Sequence, residues 1–167
     1  MRTIFALFLL FSVTAPSVRS QVSAHYLDIG GQGQARLLAT DSAGNLYAVA
    51  NVTEPSGRPQ IRVIKTDPQV NVLATATFGS SQTDTPAAAA VDNQGNLILT
   101  GSTYAPDFPL VAPLSSNTAS PSAFVTKLDP QLRILFSTRL GGVQPSLPGT
   151  TAGGLALDSA GNIYLTG

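Results

Sequence analysis

Asp92-Asn93-Gln94-Gly95-Asn96-Leu97-Ile98 has two counterparts in this chain: Asp41-Ser42-Ala43-Gly44-Asn45-Leu46-Tyr47 upstream and Asp158-Ser159-Ala160-Gly161-Asn162-Ile163-Tyr164 downstream. An Asp-x-x-Gly-Asn stretch between apolar runs is a tight turn. The carboxylate accepts backbone N–H groups two or more residues on, and Gly supplies the positive φ that a Cβ resists. A second motif lies between the copies, where Lys65-Thr66-Asp67-Pro68-Gln69 matches Lys127-Leu128-Asp129-Pro130-Gln131. Here Pro presets φ at the second turn position. A third motif closes each unit, where Phe78-Gly79-Ser80 matches Leu140-Gly141-Gly142.

The three motifs keep one order in both full copies. Two turns joining two hairpins make four strands per unit. The turns recur after 51 residues (92 − 41) and then 66 residues (158 − 92). The excess falls mainly between Gly101 and Ser122, a Pro-, Ser-, Thr- and Ala-rich stretch that reads as a loop insertion. Periods of about 40–50 residues with four strands each point to β-propeller blades.

The first unit predicts strands at 37–40, 45–51, 61–66 and 72–78, and the second at 88–91, 96–100, 123–128 and 134–140. Inner strands are apolar on both faces, as in Leu46-Tyr47-Ala48-Val49 and Leu97-Ile98-Leu99. Outer strands alternate, with Ile134, Phe136 and Leu140 against Ser137 and Arg139. That contrast suits a blade whose middle is covered on both sides and whose rim meets water. No sustained 3.6-residue stripe follows the N-terminal run, so little or no helix is expected there. The fold class expected is all-β: an incomplete propeller of about two and a half four-stranded antiparallel blades plus a leading orphan strand. The units span 35–80, 86–142 and 151–167, the last with only two strands. His25-Tyr26-Leu27-Asp28-Ile29-Gly30-Gly31 resembles Thr138-Arg139-Leu140-Gly141-Gly142, which makes 21–34 a leading outermost strand and linker.

A ring needs at least four blades. Two and a half cannot close, and open edges leave backbone groups unpaired. The expectation is a fragment of a longer chain, ahead of a truncated gene or of copies that self-associate through their open blade edges.

The N-terminus gives an address. Arg2 precedes an apolar run from Ile4 to Phe11, extended by Val13 and broken by Thr14-Ala15-Pro16. Val18-Arg19-Ser20 then fits a cleavage site, so 1–20 reads as a signal peptide cut before Gln21. The run is about half the length of a membrane span, so no stable span is expected after cleavage. The location expected is secreted, periplasmic or cell-surface.

Composition narrows the chemistry. Charged residues make up 11%, nine Lys plus Arg balance nine Asp plus Glu, and there is no cysteine. Scattered basic residues give no nucleic-acid footprint. Without cysteine there are no disulfides, thiolate nucleophiles or Cys-based zinc sites. His25 is the only histidine and reads as a polar rim residue; Glu54 is the only glutamate, beside the loop signature Pro55-Ser56-Gly57. Asp92-Asn93-Gln94-Gly95-Asn96 departs from a calcium loop, with Gly fourth instead of sixth and no Glu at the twelfth position. No Gly-x-Ser-x-Gly elbow occurs, and Gly30-Gly31-Gln32-Gly33 lacks a following helix signal or Lys, so a phosphate cradle is unsupported. No catalytic residue, metal ligand or cofactor is assigned. The residues singled out are structural turns: Asp41, Gly44, Asn45, Asp67, Pro68, Asp92, Gly95, Asn96, Asp129, Pro130, Asp158, Gly161 and Asn162. Tyr104, Phe108 and the Pro-rich loop to Pro121 offer an exposed binding surface, against the plainer reading that Phe108 and Leu110 tuck under the blade.

The run Gly101-Ser102-Thr103-Tyr104-Ala105-Pro106-Asp107-Phe108-Pro109, the strands 123–129 and 135–142 and the segment 156–167 together resemble the bacterial β-propeller repeat family known as SBBP repeats. The first copy departs from the pattern, lacking the Asp-Phe-Pro element and closing on Gly-Ser. The resemblance covers nearly all of the chain after about Ala35. It implies a secreted or surface-exposed bacterial propeller and no particular reaction. The function expected is an exported scaffold or binding module with a protein or glycan partner. The alternative is the N-terminal part of a propeller enzyme, a lyase or glycoside-acting hydrolase, with its active site in other blades.

Overall fold

The computed structural model describes residues 8–9, 24–114, 120–141 and 150–167. Apart from the backbone of Phe8–Leu9, the expected signal peptide and its cleavage site lie outside the described residues. The described residues are all-β, with no helix and therefore none long and apolar enough to cross a membrane.

Two short strands, β1 (Phe8–Leu9) and β2 (Ala24–His25), pair antiparallel. Four strands then form one antiparallel meander: β3 (Gln32–Thr40), β4 (Leu46–Thr53), β5 (Pro59–Thr66) and β6 (Val72–Phe78). A second meander follows the same plan: β7 (Asp84–Val91), β8 (Leu97–Thr103), β9 (Ser122–Leu128) and β10 (Ile134–Leu140). A third sheet has β11 (Gly154–Leu157) and β12 (Ile163–Thr166).

The meanders repeat even in their irregularities. The register slips between Ala35 and Leu37 in β3 and at the matching Pro86 and Ala88 in β7. It slips again opposite Leu73 in β6 and at Leu135 in β10, and both leucines are exposed. Pro86 is tolerated because a first strand is an edge strand, where one side of the ladder needs no donor.

The two meanders pack face to face through one apolar core. Tyr47, Val49, Ile61, Val63 and Phe78 of the first meet Leu97, Leu99, Phe124, Leu128 and Leu132 of the second. Full burial of such side chains contributes about 1.5–3 kcal/mol each. Alternation along β4 sends Ala48, Ala50 and Val52 to the opposite face, where Leu27 and Ile29 cover them. First strands lie side by side, β3 along β7 and β7 along β11.

Three expectations are corrected. First, the first strands begin four to five residues earlier than expected (32 against 37, 84 against 88), and the second strands run on to Thr53 and Thr103. Glycines and polar residues at these ends mask the strand signal. Second, no strand runs from 26 to 30; only Ala24–His25 is extended and paired. The segment is held instead by side chains: Arg62 Nη1 donates to the carbonyls of Ile29 (3.0 Å) and Gly30 (3.1 Å). Third, Ser137 and Arg139 are buried rather than on a wet rim. The inserted loop folds back along β10, pairing Val111 with Ser137 through two backbone hydrogen bonds. That covers an edge that would otherwise present free backbone groups.

Candidate functional site

The sheets have two ends of different character. One end carries the short recurrent turns, the other the longer loops 54–58, 79–83 and 104–114.

At the turn end each repeated Asp organises its own loop. Asp92 Oδ1 accepts the backbone N–H groups of Gln94 and Asn96 (2.9 Å each), and Oδ2 accepts the Asn96 side chain (2.8 Å) and the Lys127 ammonium (2.9 Å). Partial burial alone would push this carboxyl up. The bonds from Asn96, Lys127 and Gln94 outweigh it and hold the pKa at about 2. Asp41 repeats the pattern with Ala43 and Asn45, and Asp158 with Ala160 and Asn162. Asp67 and Asp129 do the same in the Asp-Pro turns, with Asn71 and Arg133 as closing residues. Gly44 (φ +82) and Gly95 (φ +79) do more than supply a left-handed φ. A Cβ would lie 3.3 Å from Pro68 Cγ at Gly44 and 3.6 Å from Pro130 Cγ at Gly95, so each Asp-x-x-Gly turn rests on the Asp-Pro turn of its own sheet.

This end also joins the sheets. Lys65 Nζ lies 5.0 Å from the centre of the Tyr47 ring and donates to the Pro130 carbonyl of the second meander (3.3 Å). The Tyr47 hydroxyl donates to the Gly95 carbonyl (3.0 Å), with Asp41 Oδ2 at 3.3 Å as the other acceptor in reach. Every one of these polar groups is engaged within the chain, so the turn end is built for cohesion.

The loop end has a different composition. Its foundation is a buried polar lattice that sequence reading did not find. Asp84, 1% exposed, accepts the backbone N–H and the hydroxyl of Ser80. Its carbonyl accepts Asn51 Nδ2 from β4 (2.6 Å), while Asn51 Oδ1 is buried without a partner among the described residues. Asp107 accepts the Ser81 N–H and hydroxyl (3.1 and 3.0 Å); these hydrogen bonds draw its carboxyl below the ordinary carboxylate value. Arg139, fully buried, donates to Ser122 Oγ and to the Pro106 carbonyl. Burial pushes the guanidinium down from its ordinary value, and the nearby charges of Asp84 and Asp107 oppose that. The Ser80–Asp84 pair, four residues apart around a turn, was the one local signal available; the rest join residues 17 to 33 positions apart.

Over this lattice lies a shallow depression lined by Pro59, Gln82, Thr83, Thr85 and Tyr104. Tyr104 is 43% exposed. Phe108 is buried, stacked on Phe124 (centroids 4.5 Å apart) and edge-on to Phe78 (6.5 Å). Leu110 stays exposed. Of the suggested binding residues, the structure therefore keeps Tyr104 at the surface and gives Phe108 to the core.

Glu54 pairs with Arg62 (2.7 Å), while His25 contributes backbone to β2. Among the described residues no three His, Cys, Asp or Glu side chains gather as a metal-ligand group. The depression is lined by neutral hydrogen-bonding residues, one proline and one part-exposed aromatic residue. No family model matches the chain, and no curated protein is significantly similar to it.

Proposed function

We propose that this chain is part of an exported β-propeller of the kind the SBBP-repeat resemblance implies, acting as a scaffold or binding module through its loop end. The observation that carries the reading is the side-by-side run of β3, β7 and β11. Such a run is what blades give when they follow one another around an axis lined by their first strands. A two-sheet sandwich would give the third unit no such place.

A second feature supports the equivalence of the units. Tyr47 and Tyr164 hold the same place in their repeats, and each hydroxyl reaches Oδ2 of its own turn Asp, at 3.3 and 3.0 Å. Tyr47 is fully buried and latched to the glycine carbonyl of the next turn, whereas Tyr164 is 56% exposed. The face of β11–β12 that bears Tyr164 therefore matches the face of β4 that packs on the second meander.

An experimentally determined structure of the exported protein tests the architecture. The rotation that carries the first meander onto the second is expected to carry β7–β8 onto β11–β12. A third unit placed by a different rotation overturns the propeller reading. Fractionation of a bacterial host, with N-terminal sequencing, tests export: a product starting at Gln21 outside the cytoplasm is expected, and an uncleaved cytoplasmic product overturns it.

A further inference from the structure

The polar groups of the loop end divide sharply into used and unused. Ser80, Ser81, Asp84, Asp107, Ser122 and Arg139 are consumed by one another and by backbone. The Gln82 carboxamide, the Thr83 and Thr85 hydroxyls and the Tyr104 phenol form no hydrogen bond with any described residue. These four side chains are the ones that line the depression with Pro59. A lattice whose charged groups and serines are bound to one another, beneath free groups above, holds the backbone under the depression in place before a ligand arrives.

The chemistry of the lining selects the ligand class. None of the five residues is charged, so no phosphate, carboxylate or ammonium finds a counter-ion on the lining. The carboxamide and the hydroxyls each donate and accept, matching a ligand that carries both functions on neighbouring carbons. The Tyr104 ring gives an apolar body with a polar tip. A pyranose presents just these two aspects, a C–H face for a ring and an equatorial belt of hydroxyls. A shallow, open shape suits a segment of a chain better than a small molecule that must be engulfed.

We infer that this depression binds a neutral saccharide, with Tyr104 as the stacking platform and Gln82, Thr83 and Thr85 reading the sugar hydroxyls. The inference rests on the reading of the chain as a binding module and names its partner class.

Titration of the exported chain with cellohexaose, xylohexaose, maltohexaose and N-acetylchitohexaose, followed by calorimetry and by amide NMR shifts, tests it. At least one oligosaccharide is expected to bind and to shift amides at 82–85 and 104. Tyr104→Ala is expected to weaken that binding about tenfold or more, Tyr104→Phe to keep it within about threefold, and Gln82→Ala to weaken it a few-fold. Unchanged melting temperatures in these exposed variants separate loss of the site from loss of the fold. Binding that survives Tyr104→Ala overturns the inference, as does silence from all four sugars. So does a proline-rich peptide that occupies the same residues when the sugars do not. Those outcomes leave the stacking of the units untouched; a wrong unit rotation would strike the scaffold reading instead, whatever the sugars do.

Discussion

Asp92 shows how much one side chain of this repeat carries. Its carboxylate gathers two backbone donors, a carboxamide and an ammonium, and it titrates near 2 when folded against 3.8 for an unperturbed Asp. The sign follows directly: a carboxyl depressed in the folded state favours folding while it is ionised. Its contribution is complete above about pH 4, erodes as the unfolded chain protonates, and is gone once pH falls through the folded value near 2. Asp41, Asp67, Asp129 and Asp158 are also held below the ordinary value by the hydrogen bonds of their turns, so their contributions too are present above the ordinary carboxylate range and are lost as pH falls below it. Thermal melts between about pH 2 and 6 are expected to fall steeply below pH 4, and Asp92→Asn is expected to flatten that fall while costing about 1–2 kcal/mol at neutral pH. A second residue-scale test concerns the Asp-Pro turns, where the left-handed position is held by Val70 (φ 67) and Leu132 (φ 62) instead of Gly. Leu132 is buried in the core and Val70 only partly. Relief of strain therefore offsets most of the lost burial at Val70 but not at Leu132. Chemical denaturation is expected to show Leu132→Gly costing about 2–3 kcal/mol and Val70→Gly less than about 0.5.

At the scale of strands, the sequence was readable where a side chain's duty is local and unreadable where it is not. The repeated turns and doubly apolar inner strands are written in consecutive residues, and their centres fall where expected. Strand ends were missed because Gln32-Gly33-Gln34 and Asp84-Thr85-Pro86 look like linkers; pairing with the far ends of β4 and β8 makes them strands. Arg139 was read as a rim residue because alternation alone cannot reveal a loop from 33 positions upstream closing over it. Tyr104 stood out as an aromatic in a loop, but its companions Gln82, Thr83 and Thr85 have no motif and meet it only through the pairing of β7 with β8. Gly101 is another duty hidden from the sequence. A Cβ there would collide with the Thr85 carbonyl oxygen of β7 and approach the Phe124 ring to 2.7 Å. One obstacle is paired strand backbone and the other a fully buried ring, so Gly101→Ala is expected to destabilise by about 2–3 kcal/mol in equilibrium denaturation, a large loss for the smallest of substitutions.

For the whole molecule, the question is whether the units are beads on a string or one cooperative body. The loop-end segment supplies the answer in Phe108, which leaves β8 and inserts between Phe78 of the first meander and Phe124 of the second. A repeat array whose units touch only through neighbours gains its stability at such interfaces. The interface here combines this aromatic triplet, the Tyr47 latch to Gly95 and the Asn51 bond to Asp84. Among the described residues, the other face of the first meander is covered by Leu27 and Ile29. Neither sheet buries both faces by itself, so the two are expected to unfold in a single transition. Phe108→Ala removes the ring common to both sides, with an expected loss of about 3–5 kcal/mol. Hydrogen exchange should then register the damage in β4, β5, β8 and β9 together, because the protection of each strand depends on the same interface. Loss of protection confined to β8 and β9, with the first meander as protected as before, would show that the units stand independently.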